Sequence, residues 1–234
     1  DKVIEIIEKA QQEDGYLNTY FTVKEPEHRW QNLQECHELY CAGHMMEAGA
    51  AYAQVTGKKK LLNVMERMAD HIEARFGTEE GKEPGIPGHQ EIELLRLYET
   101  TGKEKYRSLS RYFIDQRGKD PQYFAKEKEK RGWIHFGMDV NDMKYCQAHE
   151  TVYEQKEAVG HSVRAVYMYT AMAELAALYQ DEPLYHACRR LWDNMVNRRM
   201  YITGGIGSTV NGEAFTIDYD LPNDTVYAET CASI

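Results

Sequence analysis

Three glycine-histidine pairs, Gly43-His44, Gly88-His89 and Gly160-His161, stand where the apolar spacing starts a helix, and a further histidine, His37, lies seven residues before His44. Three such coincidences exceed what ordinary core histidines account for. A neutral imidazole at the rim of a cavity can donate to or accept from hydroxyl groups, so these rings read as contacts to a polar, uncharged ligand. His37 shares a helix face with His44, two turns away. Its spacing to the turn residue Gly57 also equals that from His161 to Asp181, which makes it the alternative counterpart of His161. Two other places carry reactive atoms. Glu213 follows Gly212 in a loop, where a carboxylate is ordinarily solvated. Glu229 and Cys231 offer a carboxylate and a thiol, both of which zinc accepts, but a structural zinc site takes four protein ligands and this pattern supplies two. Taken alone it reads as a buried cysteine at a helix start.

The elements that must position these residues are helices, because apolar residues recur at three-to-four spacing and alternating Val, Ile and Thr runs are scarce. Residues 1–12 read as the end of one helix, 16–30 as an aromatic and charged loop, and 33–55 as the next helix. Gly43-His44 with Thr56-Gly57-Lys58 recurs as Gly88-His89 with Thr101-Gly102-Lys103 at an offset of 45 residues, which marks two copies of one helical hairpin. In each copy the Thr-Gly-Lys turn supplies a glycine for a left-handed helix end, and a second helix follows at 60–76 or 104–117. A third copy starts at Gly160-His161, turns at Gln180-Asp181-Glu182-Pro183 and returns over 184–199; counted from its glycine-histidine pair, its inner helix is about two turns longer. The intervening segments 118–151 and 201–224 are too long for simple connectors and read as functional loops. Repeated hairpins stack into an open solenoid or close into a toroid around a cavity, and long loops favour the toroid. Tyr16, Tyr20, Trp30, Tyr201, Phe215 and Tyr219 fall in such loops, where they either stack on a ligand or plug gaps. His71, His135, His149 and His186 follow no pattern and read as surface or loop residues.

With 234 residues and 42% hydrophobic content the chain can bury a sizeable core. Its formal net charge of -10, with 28 basic residues scattered among 38 acidic ones, lacks the basic stripe of a nucleic-acid binder. No run of about 18 apolar residues is present, so no membrane partner is expected. Cys36, Cys41, Cys146, Cys188 and Cys231 are odd in number and have no framework spacing, which points to a reducing, cytoplasmic setting; the first four read as core residues. Homo-oligomer formation is left open.

Four stretches taken together resemble glycoside hydrolase family 127, the β-L-arabinofuranosidases. They are His37-Glu38-Leu39-Tyr40-Cys41-Ala42-Gly43-His44, Pro87-Gly88-His89-Gln90-Glu91, Glu157-Ala158-Val159-Gly160-His161, and the run from Tyr201-Ile202-Thr203-Gly204-Gly205-Ile206-Gly207 to Tyr227-Ala228-Glu229-Thr230-Cys231-Ala232-Ser233. The resemblance covers nearly the whole chain. It implies an all-α (α/α)6 barrel and a retaining exo-glycosidase that releases terminal β-L-arabinofuranose from an oligosaccharide or glycoconjugate. It also implies Glu213 as acid/base and a zinc cofactor with Glu229 and Cys231 among its ligands. His37, His44, His89, His161 and Glu229 are then the expected sugar contacts, with His37 slightly favoured over His44. The family's adjacent cysteine pair, which supplies the nucleophile and the remaining ligand, lies beyond position 234. Residues 1–234 are therefore expected to form part of the barrel, without its first helices and closing part, and to be inactive alone. Two other readings compete: a sugar epimerase or unsaturated-uronide hydrolase on the same barrel, which needs histidine or aspartate and no metal, and a non-enzymatic helical-repeat scaffold.

Overall fold

The computed structural model describes residues 1–85 and 91–233. The chain divides into two units, residues 1–113 with 127–138 and residues 114–126 with 139–234. In the first, α1 (Lys2–Ala10) and the one-turn α2 (Thr19–Val23) precede α3 (Glu38–Thr56), which pairs with α4 (Lys60–Arg75) and with α5 (Glu91–Thr101). Leu39, Ala42, Met46 and Ala50 of α3 and Leu62, Met65, Met68 and Ile72 of α4 are all buried, and the two helices pack together. The two helices approach closely at Gly49, where a side chain would stand 3.1 Å from Met65 Cγ. The Thr-Gly-Lys turns behave as expected: Gly57 (φ 72°) and Gly102 (φ 69°) end α3 and α5 in the left-handed conformation, each returning its N–H to the carbonyl four residues back. After Gly102, α6 (Glu104–Gln116) follows.

Three expectations need correction here. Helix α3 starts at Glu38, not at residue 33, because Asn32 and Glu35 close their own turn: the Asn32 side chain donates to Glu35 Oε2 at 2.8 Å and accepts from Glu35 N at 3.0 Å. The segment 118–151 is not all loop, since α7 (Tyr123–Arg131) lies within it. Its Lys/Glu-rich stretch has no apolar stripe, but Glu127 turns inward to accept the N–H groups of Leu33 (2.7 Å) and Gln34 (3.4 Å) and pairs with Arg131 at 3.2 Å. His71 is not a surface residue. Its Nε2 accepts from Trp30 Nε1 at 3.1 Å and its Nδ1 donates to the Asp14 carbonyl at 3.0 Å, so it ties α4 to the loop before α3. Tyr16 and Trp30 are core residues, packed edge to face at 5.4 Å, and Phe215 is also buried; of the loop aromatics only Tyr20 and Tyr219 are strongly exposed.

Glu35 pins the segment after α7. Its buried carboxylate accepts from the backbone N–H groups of His135, Gly137 and Met138, each at 2.7 Å, with Arg131 at 3.6 Å. Burial alone would raise its pKa, but the hydrogen bonds from Asn32 and these backbone groups outweigh it and hold the carboxyl down at about 2. The folded value lies below the unfolded one. Its stabilisation, roughly 3 kcal/mol for a shift of this size, is therefore complete above about pH 4.5 and is lost as pH falls through about 2. Glu35→Gln is expected to lower the melting temperature at pH 7 and to flatten its decline between pH 4.5 and 2. Parallel melting curves for variant and parent across that window would contradict this.

In the second unit, α8 (Ser162–Tyr179) and α9 (Glu182–Asn194) form the third hairpin. Its turn is left-handed at Gln180 (φ 52°), and Asp181 caps α9 by accepting from Leu184 N at 3.0 Å. The inner helix is no longer than its counterpart: α8 has 18 residues and α3 has 19, because His37 stands at the N-cap position of α3 as His161 does at that of α8, although only His161 accepts a capping hydrogen bond through its side chain. His44 is the seventh residue of α3, not its start. A wide π turn, Met195–Arg199, closes α9 and turns Arg199 inward. There it meets Glu157 (2.5 Å), Asp218 (2.9 Å) and the carbonyls of Ala158 and Thr216. None of the five cysteines is in a disulfide; Cys146 is buried, Cys36 and Cys188 are half-buried, and Cys41 is exposed, against its expected core position. Among the described residues no helix is long and apolar enough to cross a membrane.

Candidate active site

The site in the second unit is built where three backbone segments cross. Gly160 (φ 73°) accepts from Phe215 N at 3.0 Å, and the next residue, His161, donates its N–H to the Tyr145 carbonyl at 3.1 Å. Gln147 Nε2 stitches the crossing together through the carbonyls of Tyr145, Val159 and His161. The loop after α9 folds back on itself. Gly207 (φ 84°) accepts through one carbonyl from both Tyr227 N and Ala228 N at 3.1 Å, and a one-turn 3-10 helix, Asn211–Glu213, delivers Glu213 in the left-handed region at φ 52°. That conformation costs a residue with a side chain on the order of 1 kcal/mol, and such positions cluster at functional sites.

The Glu213 carboxylate is held at both oxygens. Oε1 accepts from the Tyr227 hydroxyl at 2.9 Å and Oε2 from His161 Nε2 at 3.0 Å, while Ser162 Oγ donates to the Glu213 carbonyl at 3.0 Å. The side chain still keeps 41% of its surface open, whereas the imidazole keeps 13%. His161 Nδ1 accepts from Arg164 N at 3.4 Å as the cap of α8, so the hydrogen-bond geometry places the imidazole proton on Nε2, facing the carboxylate. Burial, and then the Arg164 guanidinium, lower the pKa of His161 against the opposing pull of Glu213, which keeps the ring neutral. Tyr145 meets the ring edge-on at 5.7 Å and carries the Arg164 guanidinium over its own face at 5.3 Å. A carboxyl group oriented at both oxygens and open to solvent can, when protonated, give its proton to a leaving oxygen and later, as the carboxylate, take one from water.

Glu229 and Cys231 lie at the start of α10 (Thr230–Ser233). The Cys231 thiol is hydrogen-bonded to the Glu229 carboxylate, and that bond, with the nearby negative charge, raises its pKa. Cys231 is exposed, whereas Glu229 Oε2 is shielded from solvent. A carboxylate and a thiol thus converge, and they fit half of a four-coordinate zinc set. The charge of Glu229 also acts on His161 and Tyr227, which makes the pair a neighbour of Glu213.

The other expected contacts are placed differently. His37, the exposed cap of α3, and His44 belong to the first unit, each edge-on to Tyr40, at 5.6 Å and 4.4 Å respectively. His89 lies outside the described residues. Sequence reasoning missed Tyr227 and Ser162. Tyr227 stood inside a stretch quoted for the family resemblance, but nothing in its spacing set it apart from a loop aromatic.

Over residues 1–234 the chain matches the family described as Beta-L-arabinofuranosidase, GH127 catalytic domain. It is 47% identical to a non-reducing end beta-L-arabinofuranosidase of Bifidobacterium longum subsp. longum, over 100% of this chain and 37% of that protein. Among solved structures it is similar to a GH127 beta-L-arabinofuranosidase from Geobacillus stearothermophilus T6, with a TM-score of 0.95 and 59% identity over 100% of this chain and 37% of the other. A second GH127 beta-arabinofuranosidase gives a TM-score of 0.85 at 40% identity, covering 99% of this chain and 35% of the other. The chain therefore spans little more than a third of the relatives it matches. Its hairpins are those of the (α/α)6 barrel class.

Proposed function

Because the chain belongs to glycoside hydrolase family 127, we propose that the protein containing it releases terminal β-L-arabinofuranose from arabinofuranoside oligosaccharides or glycoconjugates, with retention and with Glu213 as acid/base. The observation that carries this reading is the open Glu213 carboxylate clamped between Tyr227 and His161. In the first step a cysteine thiolate from beyond position 234 attacks the anomeric carbon, the glycosidic C–O bond breaks, and the Glu213 proton passes to the departing oxygen. In the second, water attacks the same carbon, the C–S bond breaks, and Glu213 takes the proton back. His161 and Tyr227 orient the carboxylate through both transfers, and the neutral imidazole adds no second proton to the balance. Zinc, held in part by Glu229 and Cys231, would supply the charge that keeps a neighbouring thiol ionised at neutral pH.

On this reading residues 1–234 alone carry two of the four zinc ligands and have no turnover. His37, His89 and His161 remain the proposed sugar contacts. A reducing, cytoplasmic compartment is part of the same proposal, since none of the five cysteines is in a disulfide. The epimerase and uronide-hydrolase readings, which need no metal, are disfavoured by the Glu229 and Cys231 pair, and His161, with both nitrogens engaged, offers no lone pair as a base. The test is hydrolysis of an aryl β-L-arabinofuranoside by the full-length protein, with the anomer first released followed by NMR and bound metal measured by mass spectrometry. The β anomer and zinc near one ion per protein at this site are expected. Release of the α anomer, or undiminished turnover after the zinc is stripped, would overturn the proposal.

A further inference from the structure

A second group of metal-binding side chains lies in the first unit, on the helices α3 and α5 that pack together there. His44 and Glu47 sit three residues apart on α3, 3.9 Å from each other, and Glu93 reaches toward them from the first turn of α5. One donor atom from each of the three lies within 4.8 Å of the others, and among the described residues this is the group of three or more His, Cys, Asp or Glu side chains that converge so closely.

Glu93 is what makes the cluster more than a chance gathering of surface acids. It is fully buried, and neither carboxylate oxygen receives a hydrogen bond from another residue. A buried carboxylate with no donor from a neighbouring residue is costly unless a cation or a proton compensates it. The nearby charges worsen the imbalance: Glu91 and Glu47 are both felt at Glu93, and the opposing Arg96 is already paired with Glu99. The ring of His44 is fixed edge-on against Tyr40 at 4.4 Å, which limits its rotation about the position facing the two carboxylates.

We propose that His44, Glu47 and Glu93 form a binding site for a divalent first-row metal ion such as zinc, which ties α3 to α5. One imidazole nitrogen and two carboxylates suit a borderline cation of this kind, whereas calcium or magnesium prefers oxygen donors throughout. The site shares no residue with Glu229 and Cys231 and has no sulfur donor, so it does not depend on the zinc placed there. The buried cation would replace the missing donor to Glu93, and His44, expected from the sequence to touch sugar, would be a ligand instead.

The absence of sulfur provides the test. Full-length protein stripped with a chelator is titrated with cobalt(II), whose thiolate charge-transfer band reports a cysteine site and whose d–d bands alone report a nitrogen and oxygen site. The expected result is one equivalent bound without a thiolate band. Glu93→Gln and His44→Gln should each weaken that equivalent at least about tenfold, since even outer-shell partners are worth 10–100-fold, and leave any thiolate band intact. Cys231→Ser should do the reverse. Glu93→Gln keeps the shape while removing the buried charge, so the metal-free variant should melt no lower than the parent; if it fails to fold, the partly exposed His44→Gln carries the test. Unchanged cobalt stoichiometry and affinity in both variants would overturn this site. Loss of the thiolate band alone would count only against the zinc proposed at Cys231.

Discussion

In the full-length protein, Glu213→Gln is expected to cut kcat/KM about 10²–10⁴-fold on arabinofuranosides with poor leaving groups, and far less on aryl glycosides with good ones. A poor leaving group must be protonated as its bond breaks, while a nitrophenolate departs without help, so the loss should grow with the pKa of the leaving group. The exchange should not disturb the fold. The substituted amide would keep the shape, 41% of the Glu213 side chain is open, and the amide carbonyl could still accept from Tyr227 or His161. On the proposed mechanism deglycosylation by water also needs Glu213 as base, so on activated substrates a glycosyl-enzyme should accumulate and azide should restore turnover. Tyr227→Phe removes one orienting hydrogen bond and should show a smaller loss with the same dependence on leaving group. A plot of log kcat/KM against leaving-group pKa decides the matter. Equal loss across the series would show that Glu213 positions the substrate and transfers no proton.

Much of this arrangement could be read along the chain because the signals are local. A Thr-Gly-Lys turn needs only its own glycine to end a helix, and Gly57 and Gly102 both do so. The register of the repeat was harder. Glycine-histidine pairs suggested that His44 and His161 correspond, yet the helix caps equate His37 with His161, as the spacing to the turn also allowed. A cap depends on which side chain has left the helix, and the close turn at Asn32 and Glu35, not the apolar spacing, decides that. Helix α7 was invisible for a related reason. Its inward residues are Glu127 and Arg131, which are buried by partners nearly a hundred positions away, so no apolar stripe marks them. The contacts around Glu213 are likewise long-range. His161 and Tyr227 are separated from it by 52 and 14 residues, and only folding brings their donors to its two oxygens.

The second large effect falls on a residue with no reactive atoms. Gly160→Ala is expected to destabilise the protein by about 2–5 kcal/mol, combining roughly 1–2 for the left-handed backbone with roughly 1–3 for forced overpacking. Its φ of 73° is unfavourable for any side chain, and a Cβ there would stand 2.0 Å from the Lys144 carbonyl oxygen and 2.6 Å from that of Tyr145. Neither is the loose end of a side chain. To make room, the 144–145 backbone must move away, and the bond from His161 N to the Tyr145 carbonyl and the one from Phe215 N to Gly160 move with it. Those bonds set the distance between His161 and Glu213, so the variant should lose turnover even where it remains folded. Gly57→Ala is the internal control. Its φ of 72° is nearly the same but nothing lies within 4 Å of the added carbon, so it should cost only the backbone share, about 1 kcal/mol, and leave turnover intact. Thermal melting of the two full-length variants, with kcat/KM measured below the lower transition, separates the contributions. Similar losses for both would mean that backbone conformation alone is at stake and that the crossing at Gly160 is looser than 2.0 Å implies. A large difference in stability and activity together would show that this crossing, more than the loop carrying Glu213, holds Glu213 in register with His161.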